Sequence, residues 1–155
     1  MKKAIAMILT LVLILSLGTA GTMQAKAADD LICVDGSYLL DEAEESVGDM
    51  EISTWGYYLK SGSCTINEPA SGKIGVGGST TAQRVVSEIS VYVKVQRLVN
   101  GYWENYHSWS AVKTNAAYVS TSKTLTVPTG YYYRVCCTHY AGSDSGTSNT
   151  NALYI

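Results

Sequence analysis

The sequence predicts an all-β domain, a single sandwich of about seven short strands, and three observations carry that expectation. Ile89, Val91, Val93 and Val95 alternate with Glu88, Ser90, Tyr92, Lys94 and Gln96. That period of two is what a half-buried strand requires. Asn100-Gly101 follows, a dipeptide that favours the tight two-residue hairpin turn, and leads into a strand at Tyr102 to Ser110. Finally, short strand-like runs recur at Ser63 to Asn67, Lys73 to Thr81, Tyr118 to Val127, Tyr131 to Tyr140 and Thr147 to Tyr154, each bounded by Gly, Ser, Asn or Pro. The only candidate for helix is a turn or so around Leu40 to Val47.

The chain divides into three parts. Met1-Lys2-Lys3 supplies a positive start, Ala4 to Leu17 a 14-residue stretch dominated by apolar side chains, and Ala25-Lys26-Ala27 a small-residue cleavage site. The stretch is short for a bilayer core of roughly 30 Å, so residues 1–27 read as an export signal rather than a membrane anchor. Residues 28–51 form an acidic segment, with nine acidic residues and no basic one between Asp29 and Glu51. Such a block is expected to be a solvated, flexible leader. From Ile52 to Ile155, the expected sandwich domain, eight Lys or Arg stand against four Asp or Glu. This balance does not point to nucleic acid, and the expectation is a soluble, secreted monomer with no membrane span.

Export also bears on the cysteines. Cys33, Cys64, Cys136 and Cys137 leave the reducing cytosol with the chain and are expected as disulfides. Cys136 and Cys137 are adjacent, so on a strand their side chains point to opposite faces and a bond between them would be strained. Cys64 shares a face with Ile66, and Cys137 with Val135; the expected pairs are therefore Cys64 with Cys137 and Cys33 with Cys136.

Thr124 to Val127, Pro128-Thr129-Gly130 and Tyr131 to Val135, ending at Ala141-Gly142, resemble the E-to-F corner of a fibronectin type III or immunoglobulin-like domain. The resemblance implies that Tyr131 is the corner tyrosine whose hydroxyl bonds back to the backbone, and that Tyr133, Val135 and Cys137 point into the core. It covers about twenty residues, and the Lys73 to Thr81 strand lacks the tryptophan usual in the type III module. A broader resemblance spans nearly the whole chain after the signal. Cys33 to Leu39, Glu45-Ser46-Val47-Gly48, Gly101-Tyr102-Trp103, and Ser122 to Leu125 leading to Gly130 to Val135 resemble a family of small secreted proteins from Gram-positive anaerobes of the clostridial type. That family is catalogued as a domain of unknown function. It implies a secreted β-rich domain and no catalytic residues.

The residues hold little chemistry. Gly142-Ser143-Asp144-Ser145-Gly146 has aspartate where a nucleophile elbow needs serine, and no helix follows. Gly72 to Gly78 lacks the lysine of a phosphate loop and leads into strand-like sequence. Cys137 and His139 have no second pair at zinc-ligand spacing, and outside the acidic segment only Glu68, Glu88, Glu104 and Asp144 carry carboxylates, widely spaced. Asp41 to Glu45 lacks the spacing and glycine of a calcium loop. No cofactor, metal or catalytic residue is therefore expected, and the protein is not expected to be an enzyme.

What remains is aromatic placement. If Ile89 to Val95 face inward, Tyr92 and Lys94 face outward; the parity of Tyr131 puts Tyr132, Arg134 and Tyr140 outward, and Tyr102 with Tyr106 would join them. Rigid aromatic rings with cations suit glycans, anionic polymers or protein partners, because they give contact area with few rotors to freeze. Tyrosine is also simply a good strand former, and Trp55, Trp103 and Trp109 read as packing residues. The expected function is a secreted, non-catalytic binding module for an extracellular protein, glycan or anionic polymer. The alternatives are a small secreted effector such as a bacteriocin-like antimicrobial and, third, a hydrolase. The acidic segment is expected to lie over the face, with Asp41, Glu42, Glu44 and Glu45 near Lys94 and Arg134.

Overall fold

The computed structural model describes residues 31–50 and 57–155. The expected signal, its expected cleavage site and Trp55 lie outside the described residues. The chain is all-β, as expected, but the nine strands of the described residues are hydrogen-bonded into one mixed sheet rather than divided between two. In chain order they are β1 (Cys33–Val34), β2 (Ser37–Leu40), β3 (Glu45–Asp49), β4 (Leu59–Ala70), β5 (Lys73–Val99), β6 (Tyr102–Thr126), β7 (Tyr132–Ala141), β8 (Asp144–Asn149) and β9 (Ala152–Tyr154). Neighbours run β1-β2-β9-β7-β5-β4-β3, with β6 paired to β5 and β8 to β7. All pairs are antiparallel except β2 with β9.

The departure from an immunoglobulin-like sandwich has its cause in β5 and β6. The two strands expected at Lys73 to Thr81 and Glu88 to Arg97 are one continuous strand, and Tyr102 to Ser110 likewise runs on into Tyr118 to Val127. Between Thr81/Tyr118 and Val86/Ala116 the register shifts, so that residues 82–85 of β5 oppose residue 117 alone. A bulge of this size bends the ribbon, as bulges do where one sheet turns a corner. The first half of β5 carries β4 and β3, the second half carries β7, and the fold lays one half over the other. Contacts across the fold show it. Gly78 on the first half of β5 leaves room for the Cys137 sulfur, which would stand 2.6 Å from a Cβ there, with Val91 and Val93 beside it. Trp109 Nε1 donates to Thr121 Oγ1 at 2.9 Å, joining two parts of the same strand β6. The result is a curled half-barrel.

The expected inward stripe is found. Ile89, Val91, Val93 and Val95 are fully buried, together with Ile66, Ile74, Val76, Tyr133, Val135 and Leu153. One polar seam crosses this core. His139 is completely buried, with Nδ1 2.8 Å from Thr80 Oγ1 and Nε2 2.8 Å from Ser148 Oγ, while Thr80 also donates to Ser90 O. Its ring lies where a Cβ on Gly62 would be, so only glycine fits at that point of β4. Burial holds the imidazole neutral and lowers its pKa to about 4.

Turn chemistry follows the sequence at Asn100-Gly101, where φ is 51° and 82° between the paired residues Val99 and Tyr102. Three other expectations are corrected. The helical turn over Leu40 to Val47 is absent, since Leu40 ends β2 and Glu45–Asp49 is a strand on β4. The last expected strand is two, β8 and β9, which lie one after the other along the same edge of β7. The acidic segment is not a loose leader over residues 33–49: β1, β2 and β3 belong to the sheet, with Ser37 and Ser46 buried. Asp35-Gly36 makes this possible. It is a second two-residue hairpin, with φ 49° and 78° between Val34 and Ser37.

Candidate functional site: an outer face clamped at one end

The convex side of the β6-β5-β7 ladder is the face that the alternation left outward. Its register sets Ser90 opposite Tyr140, Tyr92 opposite Thr138, Lys94 opposite Cys136 and Gln96 opposite Arg134. On the other side of β5, Tyr92 pairs with Ser110 and Lys94 with Ser108. Tyr92, Lys94, Tyr132, Arg134 and Tyr140 thus share one side, as parity predicts. Tyr140 is exposed, and Tyr92 and Lys94 are half-buried.

Arg134 is a correction: it is outward by parity yet only 5% exposed. The acidic segment covers it. Its Nη1 donates to Asp35 O at 2.7 Å and to Ser37 Oγ at 3.0 Å, its Nη2 meets Asp35 Oδ2 at 3.1 Å, and its Nε donates to Gln96 Oε1 at 3.0 Å. The guanidinium also lies 4.2 Å from the centre of the Trp103 ring, whose Nε1 donates to Val34 O at 3.1 Å. Planar cations pair well with a carboxylate on one side and an aromatic ring on another, because both interactions use the flat fork. At the same end Tyr132 donates its hydroxyl to Asp41, which pushes the phenol pKa up to about 12, and packs edge-on against Tyr154. The segment therefore does lie over the face, through Asp35 and Asp41. Among the described residues, the ion pairs are Arg134 with Asp35 and Arg97 with Glu104, so neither Lys94 nor Glu42, Glu44 or Glu45 takes part in one.

Tyr102 and Tyr106 do not join this face. Val95 pairs with His107 and Gln96 with Asn105, which leaves Tyr106 as the extra residue of a bulge. The shift turns Tyr106 toward the inner side, edge-on to Tyr133 and 5.7 Å from the Arg97 guanidinium. Its hydroxyl reaches Thr126 O, at the far end of β6. Tyr102 is an exposed residue of the hairpin tip, paired with Val99. Tyr131 is half outside the core, with its ring 4.8 Å from the Arg97 guanidinium. The tyrosine that ties the corner is Tyr133, fully buried, whose hydroxyl donates to Pro128 O at 2.8 Å. Tyr133, Val135 and Cys137 do point into the core.

The four cysteines are thiols in this structure. Cys64 and Cys137 are buried side by side between the layers, Cys33 is exposed, and Cys136 is half-buried on the outer side with its sulfur 3.3 Å from Gln96 Oε1. Burial pushes the Cys136 thiol pKa up. Among the described residues no group of three His, Cys, Asp or Glu side chains converges in a way that could hold a metal ion, and no helix is long and apolar enough to cross a membrane.

No curated protein matches the chain. Among solved structures it is similar to the sporulation control protein Spo0M of Bacillus subtilis, at 7% identity and a TM-score of 0.36. The similarity covers 73% of this chain and spans about half, 50%, of that one. A family model matches residues 25–154, almost everything after the expected signal, and the chain belongs to that family of unknown function, DUF6147.

Proposed function

We propose that this is a secreted, non-catalytic binding module that holds an extracellular anionic glycan on the open end of its outer face. The observation that carries the reading is the ladder on which Tyr140, Tyr92 and Lys94 follow one another at successive same-side positions, among the hydroxyls of Ser90, Ser108, Ser110 and Thr138. Tyrosine rings give a sugar apolar contact with a polar rim, and a lysine at the end of their row supplies a point charge for a carboxylate or sulfate. Arg134 and Tyr132, which the acidic segment occupies, frame the closed end. The export signal at residues 1–27 and the absence of a catalytic constellation in the sequence support an extracellular and non-enzymatic role.

The test is binding of the purified mature chain to immobilised dextran sulfate, with neutral dextran as control. The double variant Tyr92→Ala/Tyr140→Ala is expected to lower affinity by roughly tenfold or more, corresponding to about 1.4 kcal/mol or above. Lys94→Gln is expected to flatten the dependence on salt, because the attraction of a cation at the surface is screened over about 8 Å at physiological ionic strength. Unchanged binding in both variants would refute the assignment.

A further inference from the structure

We propose that Cys64 and Cys137 are an oxidisable pair that closes into a single disulfide between the two layers of the sheet, through exchange with a disulfide-bearing oxidant. The inference is independent of the glycan reading, since the pair lies on the opposite side of the β5-β7 ladder from Tyr92 and Lys94.

The geometry comes from both layers. Cys64 on β4 is the register partner of Gly78 on β5, and the space above Gly78 is filled by the Cys137 sulfur from β7. Cys64 Sγ lies 3.6 Å from Val135 O, two residues before Cys137 on the same strand, and 3.5 Å from Gly48 O. Both residues are at most 1% exposed, and the Cys137 sulfur, 3.9 Å from Gly77 O, meets the Cys64–Gly78 pair. A side chain at position 78 would push Cys137 away from this contact, so the glycine is what lets the two sulfurs meet. Cys136 is excluded as partner to either because it projects to the outer side beside Gln96.

In the open chain the thiolate of either cysteine is the nucleophile, and the exchange balances identically when Cys64 leads. Its thiolate attacks one sulfur of the oxidant; the oxidant's S–S bond breaks, a mixed disulfide forms and one thiol leaves carrying a proton. Cys137, losing its proton, then attacks the Cys64 sulfur, forms the Cys64–Cys137 bond and releases the second thiol. Two electrons and two protons pass from the pair to the oxidant. The buried position places this exchange during folding, before the layers close.

The experiment uses the full mature chain carrying Cys33→Ser and Cys136→Ser, unfolded in reductant and refolded in a mixture of reduced and oxidised glutathione. The expected product is lighter than the reduced chain by about 2 Da, gives a linked Cys64/Cys137 peptide, and melts roughly 10 °C above the reduced protein. Adding Cys64→Ser to the same chain abolishes the mass change. Alkylation of both remaining thiols after oxidative refolding would overturn the proposal, as would mapping of Cys64 or Cys137 to Cys33 or Cys136 in the unsubstituted chain.

Discussion

The β5-β6 hairpin and the acidic segment ahead of it are parts of one sheet, yet they are held in opposite ways. The hairpin is joined by a two-residue turn, pairs along most of its length, and buries an unbroken inward stripe from Ile89 to Val95. The acidic segment has strands of two, four and five residues, pairs with β9 at the far end of the chain and with β4 that follows it, and is fastened by polar contacts to Arg134 and Tyr132. One region is stabilised by extensive apolar burial; the other adds a few directed bonds near the surface to the burial of Leu39 and the partial burial of Leu40. The comparison teaches that a highly charged segment can be ordered without a core of its own when a cation on a neighbouring strand gathers its carbonyls and carboxylates.

The largest expected effect lies in the hairpin. Ile89→Ala removes a fully buried side chain from the stripe, and equilibrium urea unfolding is expected to show a loss of about 2–5 kcal/mol. A loss below 1 kcal/mol would mean that the two layers are not packed against each other there.

Next is the pH dependence of the polar seam. His139 titrates near 4 in the folded chain against an ordinary value of about 6.5, so the unfolded chain binds a proton through the window between them that the folded chain does not. Stability is therefore full above about 6.5, falls as pH drops toward 4 by on the order of 3 kcal/mol, and levels below. His139→Gln is expected to remove that slope, as read from urea midpoints across the window. An identical slope in the variant would assign the acid sensitivity elsewhere.

The acidic segment should respond more weakly. Arg134→Met takes away hydrogen bonds to Asp35, Ser37 and Gln96 and is expected to cost about 1–3 kcal/mol, while leaving the hairpin intact by near-ultraviolet circular dichroism. Asp35→Asn is smaller still, about 0–1 kcal/mol, because the Asp35 side chain is 79% exposed and the backbone carbonyl continues to accept from Arg134. If Asp35→Asn equalled Arg134→Met in cost, the clamp would rest on the carboxylate rather than on the carbonyl and the ring of Trp103.

How much of this was legible in the sequence divides along the same line. The Ile89 to Val95 stripe and the Asn100-Gly101 turn are local signals, and both appear where the residues put them. Asp35-Gly36 carries the same kind of turn signal, but the strands it joins, of two and four residues, are too short to show alternation. The pairing of β2 with β9 joins residues more than a hundred positions apart, and no local pattern encodes it. The bulge at Tyr106 inverts the parity of everything before it, so Tyr102 and Tyr106 were placed on the wrong side by a count that was right beyond the bulge. Tyr131 and Tyr133 share a parity, and which of them reaches Pro128 depends on where β7 leaves the corner. Arg134 shows the limit most clearly: parity set its direction correctly, while its burial came from Asp35 and Ser37, which are 99 and 97 positions away.

The central claim is that the acidic segment is an ordered part of the sheet, held by Arg134. Amide hydrogen exchange of the mature chain measures it directly. The account predicts that the amides of Leu39, which donates to Ile32 O at 2.8 Å, and of the β3 residues are protected well above random-coil rates in the unsubstituted protein. In Arg134→Met, the β1 and β2 amides should exchange faster while those of Ile89 to Val95 keep their protection. Exchange of residues 33–49 at random-coil rates in the unsubstituted chain would contradict the account and restore the segment to a mobile leader.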